Sequence, residues 1–215
     1  MNPVSKLLIA TACVVAALAA CALPASKPQV AVSSSPGALQ SPAAFAGIRD
    51  RRARSVAYFT EAARVIQHPR CLNCHPAEPM PTQGDELHAH VPLMQAGATG
   101  HGTAAMACNA CHQSENFTTH LSSVASIPGN FHWALAPASM AWQGKSQRAI
   151  CLQLKDPSRN GGRSLDAIRT HMAEDALVGW AWHPGAGRTP APGTQHELGE
   201  LVRAWIETGA ACPGA

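Results

Sequence analysis

The sequence predicts a mainly α-helical, loop-rich protein with a few short helices and little or no sheet. Three observations carry that prediction. Four segments repeat apolar residues at spacings of three and four and begin at residues suited to start a helix. Between them, residues 71–141 hold no sustained period and are broken repeatedly by Pro and Gly. Only 5% of residues are aromatic, against 17 Gly and 17 Pro, so turns are many and large core side chains few.

The N-terminal residues read as an export signal. Lys6 supplies the positive start, and Leu7 opens an apolar run to Ala20, interrupted by Thr11 and too short to cross a bilayer comfortably. Leu18-Ala19-Ala20-Cys21 resembles the bacterial lipoprotein box, which predicts a signal peptide over residues 1–20 and a lipid on Cys21. An ordinary signal peptide cut after Ala22 or Ala25 is the alternative, and both export the chain. Residues 21–43, rich in Ala, Ser, Pro and Gly, read as a flexible tether, leaving residues 44–215 for one folded domain.

The first helix is expected from Ser41-Pro42 onward, with Val56, Phe59, Ala63 and Ile66 on one face and His68-Pro69 as its stop. Three more are expected over residues 146–154, 164–175 and 194–208. The last is the most strongly marked. Thr194-Gln195-His196-Glu197 is a capping-box pattern, Leu198, Leu201, Val202 and Trp205 make one apolar stripe, and Gly209 stands where a C-terminal cap belongs.

The chemistry lies in the unpatterned middle. Cys71-Leu72-Asn73-Cys74-His75 and Cys108-Asn109-Ala110-Cys111-His112 are two copies of Cys-x-x-Cys-His. This is the motif in which two thiols add across the vinyl groups of haem while the adjacent His reaches the iron. Two c-type haems are therefore the expected cofactors, with His75 and His112 as proximal ligands. Two flat apolar macrocycles would also supply the core that so loop-rich a stretch lacks.

A zinc site of four thiols is the first alternative. Zinc ribbons separate their Cys pairs by about 15–20 residues and need no His after each pair, whereas 33 residues lie between Cys74 and Cys108. A thioredoxin-like redox pair would sit in a βαβ alternation, which neither motif has. Of the eight Cys, Cys13 falls in the signal, Cys21 in the lipoprotein box and four in the motifs. The remaining two, Cys151 and Cys212, suggest a disulfide in an oxidising compartment, with two buried free thiols as the other reading.

The second axial ligands are not fixed by the sequence, which offers nine further His and several Met. His171 leads, because it neighbours the Leu165, Ile168 and Met172 stripe of its helix. His90 and His101, between the motifs, and His132, beside Phe131 and Trp133, are the other candidates. His opposite His gives a lower potential than Met opposite His, and an open position would permit ligand binding or peroxide chemistry.

The net charge of +3, with no block of like charges, gives no reason to expect a nucleic-acid partner. Trp180 and Trp182, near Pro184-Gly185-Ala186-Gly187, read as pocket packing in preference to a docking patch.

Residues 201–210, Leu-Val-Arg-Ala-Trp-Ile-Glu-Thr-Gly-Ala, resemble the closing helix of many bacterial cytochrome c domains. Over residues 55–213 the chain resembles a family of exported dihaem cytochromes labelled as cytochrome subunits of isoquinoline 1-oxidoreductase. The similarity rests on residues 68–76 around the first motif, Gly144-Lys145-Ser146, residues 155–163 and Trp205-Ile206. It implies a cytochrome c-like dihaem domain that exchanges electrons with a partner oxidoreductase, which the export signal and lipoprotein box would place on the periplasmic side of a bacterial membrane. A dihaem peroxidase with one open iron and a haem-based sensor are the competing functions.

Overall fold

The computed structural model describes residues 37–120 and 125–214. The signal peptide, Cys21 and most of the tether lie outside the described residues. The described residues belong to one compact unit, and packing begins before residue 44, since Leu39 is buried in the core.

Six α-helices are present among the described residues: α1 Arg51–Ile66, α2 Pro69–Leu72, α3 Gln147–Lys155, α4 Leu165–Glu174, α5 Ala176–Gly179 and α6 Gln195–Glu207. Among the same residues, sheet is confined to three antiparallel ladders of two-residue strands. They pair β1 Thr82–Gln83 with β2 His88–Ala89, β3 Gly102–Thr103 with β4 Met106–Ala107, and β5 Phe117–Thr118 with β6 Ser126–Ile127. The mainly helical, loop-rich fold class agrees with the sequence.

The first helix differs from expectation. Pro42–Phe45 is only a 3-10 turn, and α1 starts afresh at Asp50, whose carboxylate accepts the Ala53 N–H at 2.6 Å. Gly47 costs a helix interior about 1 kcal/mol relative to Ala, while an Asp cap gains a similar amount at its own position. The break also folds Phe45 back onto Tyr58, edge to face at 5.4 Å.

Helices α3, α4 and α6 start where their caps predict. Ser146, Ser164 and Thr194 accept the N–H groups of Ala149, Ala167 and Glu197. Helix α6 ends in a Schellman motif: Ala210 N–H reaches Trp205 O and Gly209 N–H reaches Ile206 O, with Gly209 at φ +105°.

The apolar stripe of α6 packs against α1 and α4. Trp205, 1% exposed, meets Phe59 at 5.2 Å between ring centroids and donates its Nε1–H to Ala211 O. Ser55 ties the same corner by donating to Trp205 O and accepting from Ala211 N–H. A disulfide between Cys151 of α3 and Cys212 fastens the C-terminal segment to this core.

Candidate haem sites

At the first motif, Pro69 opens the single turn α2, for which His68 is the cap, accepting the Arg70 N–H. The turn continues through His75, whose N–H reaches Cys71 O at 3.0 Å. Cys71, Cys74 and His75 therefore share one helical face, at positions i, i+3 and i+4. The second motif repeats the device on a 3-10 turn, Cys108–Ala110, with His112 N–H reaching Cys108 O at 3.0 Å.

The two His are held alike. His75 Nδ1–H donates to Met140 O at 2.7 Å, and His112 Nδ1–H donates to Pro128 O at 2.7 Å. A carbonyl only accepts, so these bonds assign the tautomer and leave the lone pair on each Nε2. The His75 ring stacks on Trp142 (3.4 Å between centroids, 2° between planes), and His112 stacks on Trp133 (4.4 Å, 4°). Burial pushes the pKa of both rings down to about 4, although the carbonyl bonds oppose the shift. Both imidazoles are thus neutral at pH 7, oriented and ready to ligate through Nε2.

The backbone carbonyl at the second site depends on a glycine. Pro128 is followed by Gly129, where a Cβ would overlap the backbone of Glu115, and the Gly129 N–H is tied to Asn116 Oδ1.

None of the four motif cysteines is taken up in a disulfide, so all four stand available for thioether bonds. Burial raises the pKa of Cys71 to about 12 and that of Cys74 to about 11, so both are neutral S–H groups, poor thiolate nucleophiles. Among the described residues, no three or more His, Cys, Asp or Glu converge into a metal-binding cluster, so the four thiols do not form one tetrahedral shell.

A largely apolar cavity of about 410 Å³ opens beside the first motif, walled by Cys71, Cys74, His75, Trp142, Ile168 and Met172. His171 lines the same cavity, its Nδ1 3.1 Å from Asp175 Oδ2, an arrangement that orients the ring and leaves Nε2 unused. Paired thiols, a neutral proximal His, an apolar cavity and a second His together fit a covalently bound haem.

The second motif faces a cleft of about 40 Å³, lined by Cys108, Cys111, His112, Trp133 and His90. The His90 and His112 ring centroids lie 6.2 Å apart, and Pro92 O accepts from His90 Nδ1–H at 2.8 Å. The donor set repeats that of the first motif, but the cleft has about a tenth of the first cavity's volume and is too narrow for a macrocycle with Pro92 and Met94 in its wall.

Of the four second-ligand candidates, His171 stands at the first cavity and His90 at the second. His132 lines the first cavity with an exposed side chain, and His101 is exposed, lines neither, and bonds Trp133 O. Met140 and Met172 also border the first cavity, and Met94 and Met106 the second.

Leu135 lines both, so the segment around residues 130–137 is a shared wall; Leu135 N–H bonds Gly100 O and Ala136 N–H bonds Cys74 O. Trp180 is buried at this junction, edge-on to Trp133 at 4.9 Å and lining the first cavity, while Trp182 donates to Pro192 O. The stacking Trp142 and the buried Arg70 are site residues that sequence reasoning did not single out. Arg70 directly precedes the first Cys, but nothing in the sequence places Trp142 against a residue 67 positions earlier.

Compared with known protein families, curated proteins and solved structures, the chain matches none.

Proposed function

We propose that this chain is an electron-transfer protein that carries two covalent c-type haems, one on Cys71, Cys74 and His75 and one on Cys108, Cys111 and His112. It relays electrons to or from a partner oxidoreductase while a lipid on Cys21 holds it at the periplasmic side of a bacterial membrane. The observation that carries the reading is the matched construction of the two sites: each motif His is neutral, locked by Nδ1 to a backbone carbonyl, stacked on a Trp and accompanied by a second His.

Bound haem supplies a reversible one-electron iron couple. The chain's own residues do the rest. Cys71, Cys74, Cys108 and Cys111 would hold the haems covalently, the carbonyl bonds strengthen His75 and His112 as donors, and His171 and His90 would supply the second imidazole at each site. A second imidazole at each site would leave no open position for small ligands, which suits a relay and not a peroxidase.

The test is the absorption spectrum of the dithionite-reduced protein, matured in a c-haem-competent periplasm, with and without carbon monoxide. The relay reading expects no change in the wild-type protein and a new carbon monoxide complex at one haem in each of His171→Ala and His90→Ala. A carbon monoxide complex in the wild-type protein would replace the relay with a peroxidase or sensor having an open iron.

A further inference from the structure

The wall of the first cavity holds a buried cation whose bonding is incomplete. The Arg70 side chain is 0% exposed, and its Nη2 donates to Gly84 O and to Asp85 Oδ1 at 2.8 and 2.7 Å. Among the described residues its Nε and Nη1 have no partner, nor does the buried Nε1 of Trp142, and both residues line the cavity.

A second cation stands close by. Arg188 is fixed by Ser126 and Pro184, and its guanidinium carbon, like that of Arg70, stands 5.9 Å from the Trp180 ring centroid. Asp85 pairs directly with Arg70 and acts on Arg188 from further off, and it is itself held by the Thr189 amide and hydroxyl. Burial pushes both guanidinium groups below their ordinary pKa. Glu86 acts on Arg70 only from a distance, and buried guanidinium donors left without an acceptor are costly unless an anion meets them.

We propose that Arg70, through Nε and Nη1 and with Trp142 Nε1 as a further donor, receives a carboxylate of the haem bound at the first motif. This rests on the dihaem reading, since a haem is what brings carboxylate groups into that cavity. The planar guanidinium suits a carboxylate as an ammonium does not. The positive charge of Arg70 favours the reduced iron, which carries one positive charge fewer than the oxidised one. Arg70 therefore raises the potential of that haem and Asp85 lowers it.

The experiment is spectroelectrochemical titration of the haem-loaded full chain, with haem counted by intact mass. The same one of the two midpoint potentials falls in Arg70→Gln and rises in Asp85→Asn, while Arg169→Gln, at a half-buried position of α4 that lines neither cavity, moves neither. The resonance Raman band of haem carboxylate bending shifts in Arg70→Gln and in Arg70→Lys, which keeps the charge and loses the fork. If Arg70→Gln does not accumulate, Asp85→Asn decides alone, because it leaves the shape unchanged and must still raise that midpoint. Unmoved midpoints, or midpoints moving in the same direction, with both haems attached overturn the role of Arg70 and leave the dihaem reading standing. A wild-type chain without haem overturns both.

Discussion

Replacing both members of the disulfide, Cys151→Ala with Cys212→Ala, removes a covalent link between positions 61 residues apart. The chain-entropy relation for a closed loop of that length gives roughly 4 kcal/mol of lost stability, arising mainly in the unfolded state. The native geometry has other ties at the same place: Lys155 Nζ donates to Ala210 O at 2.7 Å and Arg148 Nη1 to Pro213 O at 2.9 Å. The folded protein should therefore keep its haem spectrum while unfolding earlier. For a domain of this size 1 kcal/mol corresponds to about 2–4 °C, so Tm should fall by roughly 8–16 °C. Thermal unfolding followed by circular dichroism, on wild-type and double-variant protein loaded with the same haem content, reads the difference. A fall under about 3 °C would refute the reasoning. So would a changed haem spectrum at room temperature, which would mean that the bridge shapes the native site.

Gly129→Ala should disturb the second site and leave the first intact, because its Cβ overlaps Glu115 and displaces the Pro128 carbonyl that holds His112. Overpacking of this kind costs about 1–3 kcal/mol, visible in denaturant unfolding, with the spectral change limited to one haem. Ser55→Ala deprives the buried Ala211 N–H of its acceptor and should cost about 1–3 kcal/mol in the same assay; an effect below about 0.5 kcal/mol would show that corner to be solvated. His171→Met should raise the midpoint potential of one haem, because a thioether opposite His favours reduced iron. Unchanged potentials would remove His171 as a ligand.

How much of this was legible in the sequence depended on the range of the interaction that decides each element. Helices α3, α4 and α6 are announced by Ser146, Ser164 and Thr194, whose side chains cap their own helices within three residues. The start of α1 was misread because Ser41-Pro42 carries a valid start signal, while the edge contact of Phe45 with Tyr58 and the Asp50 cap favour a break.

The two motifs are legible because their spacing is itself the chemistry. What orients them is not. Met140 O, Pro128 O, Trp142 and Trp133 come from 16 to 67 residues away, through loops with no period. For the same reason sequence alone left His171, His90, His101 and His132 level with one another apart from the helical stripe beside His171. Their separation needed the shared wall around Leu135 and the cavities on its two sides.

The most direct test of two separately held haems is the intact mass of the periplasmically matured protein, with its reduced pyridine haemochrome spectrum, for wild-type, Cys71→Ala/Cys74→Ala and Cys108→Ala/Cys111→Ala chains. Two covalent haems in the wild-type protein and one in each double variant are predicted. A wild-type chain carrying fewer than two, or a double variant still carrying both, would contradict the account.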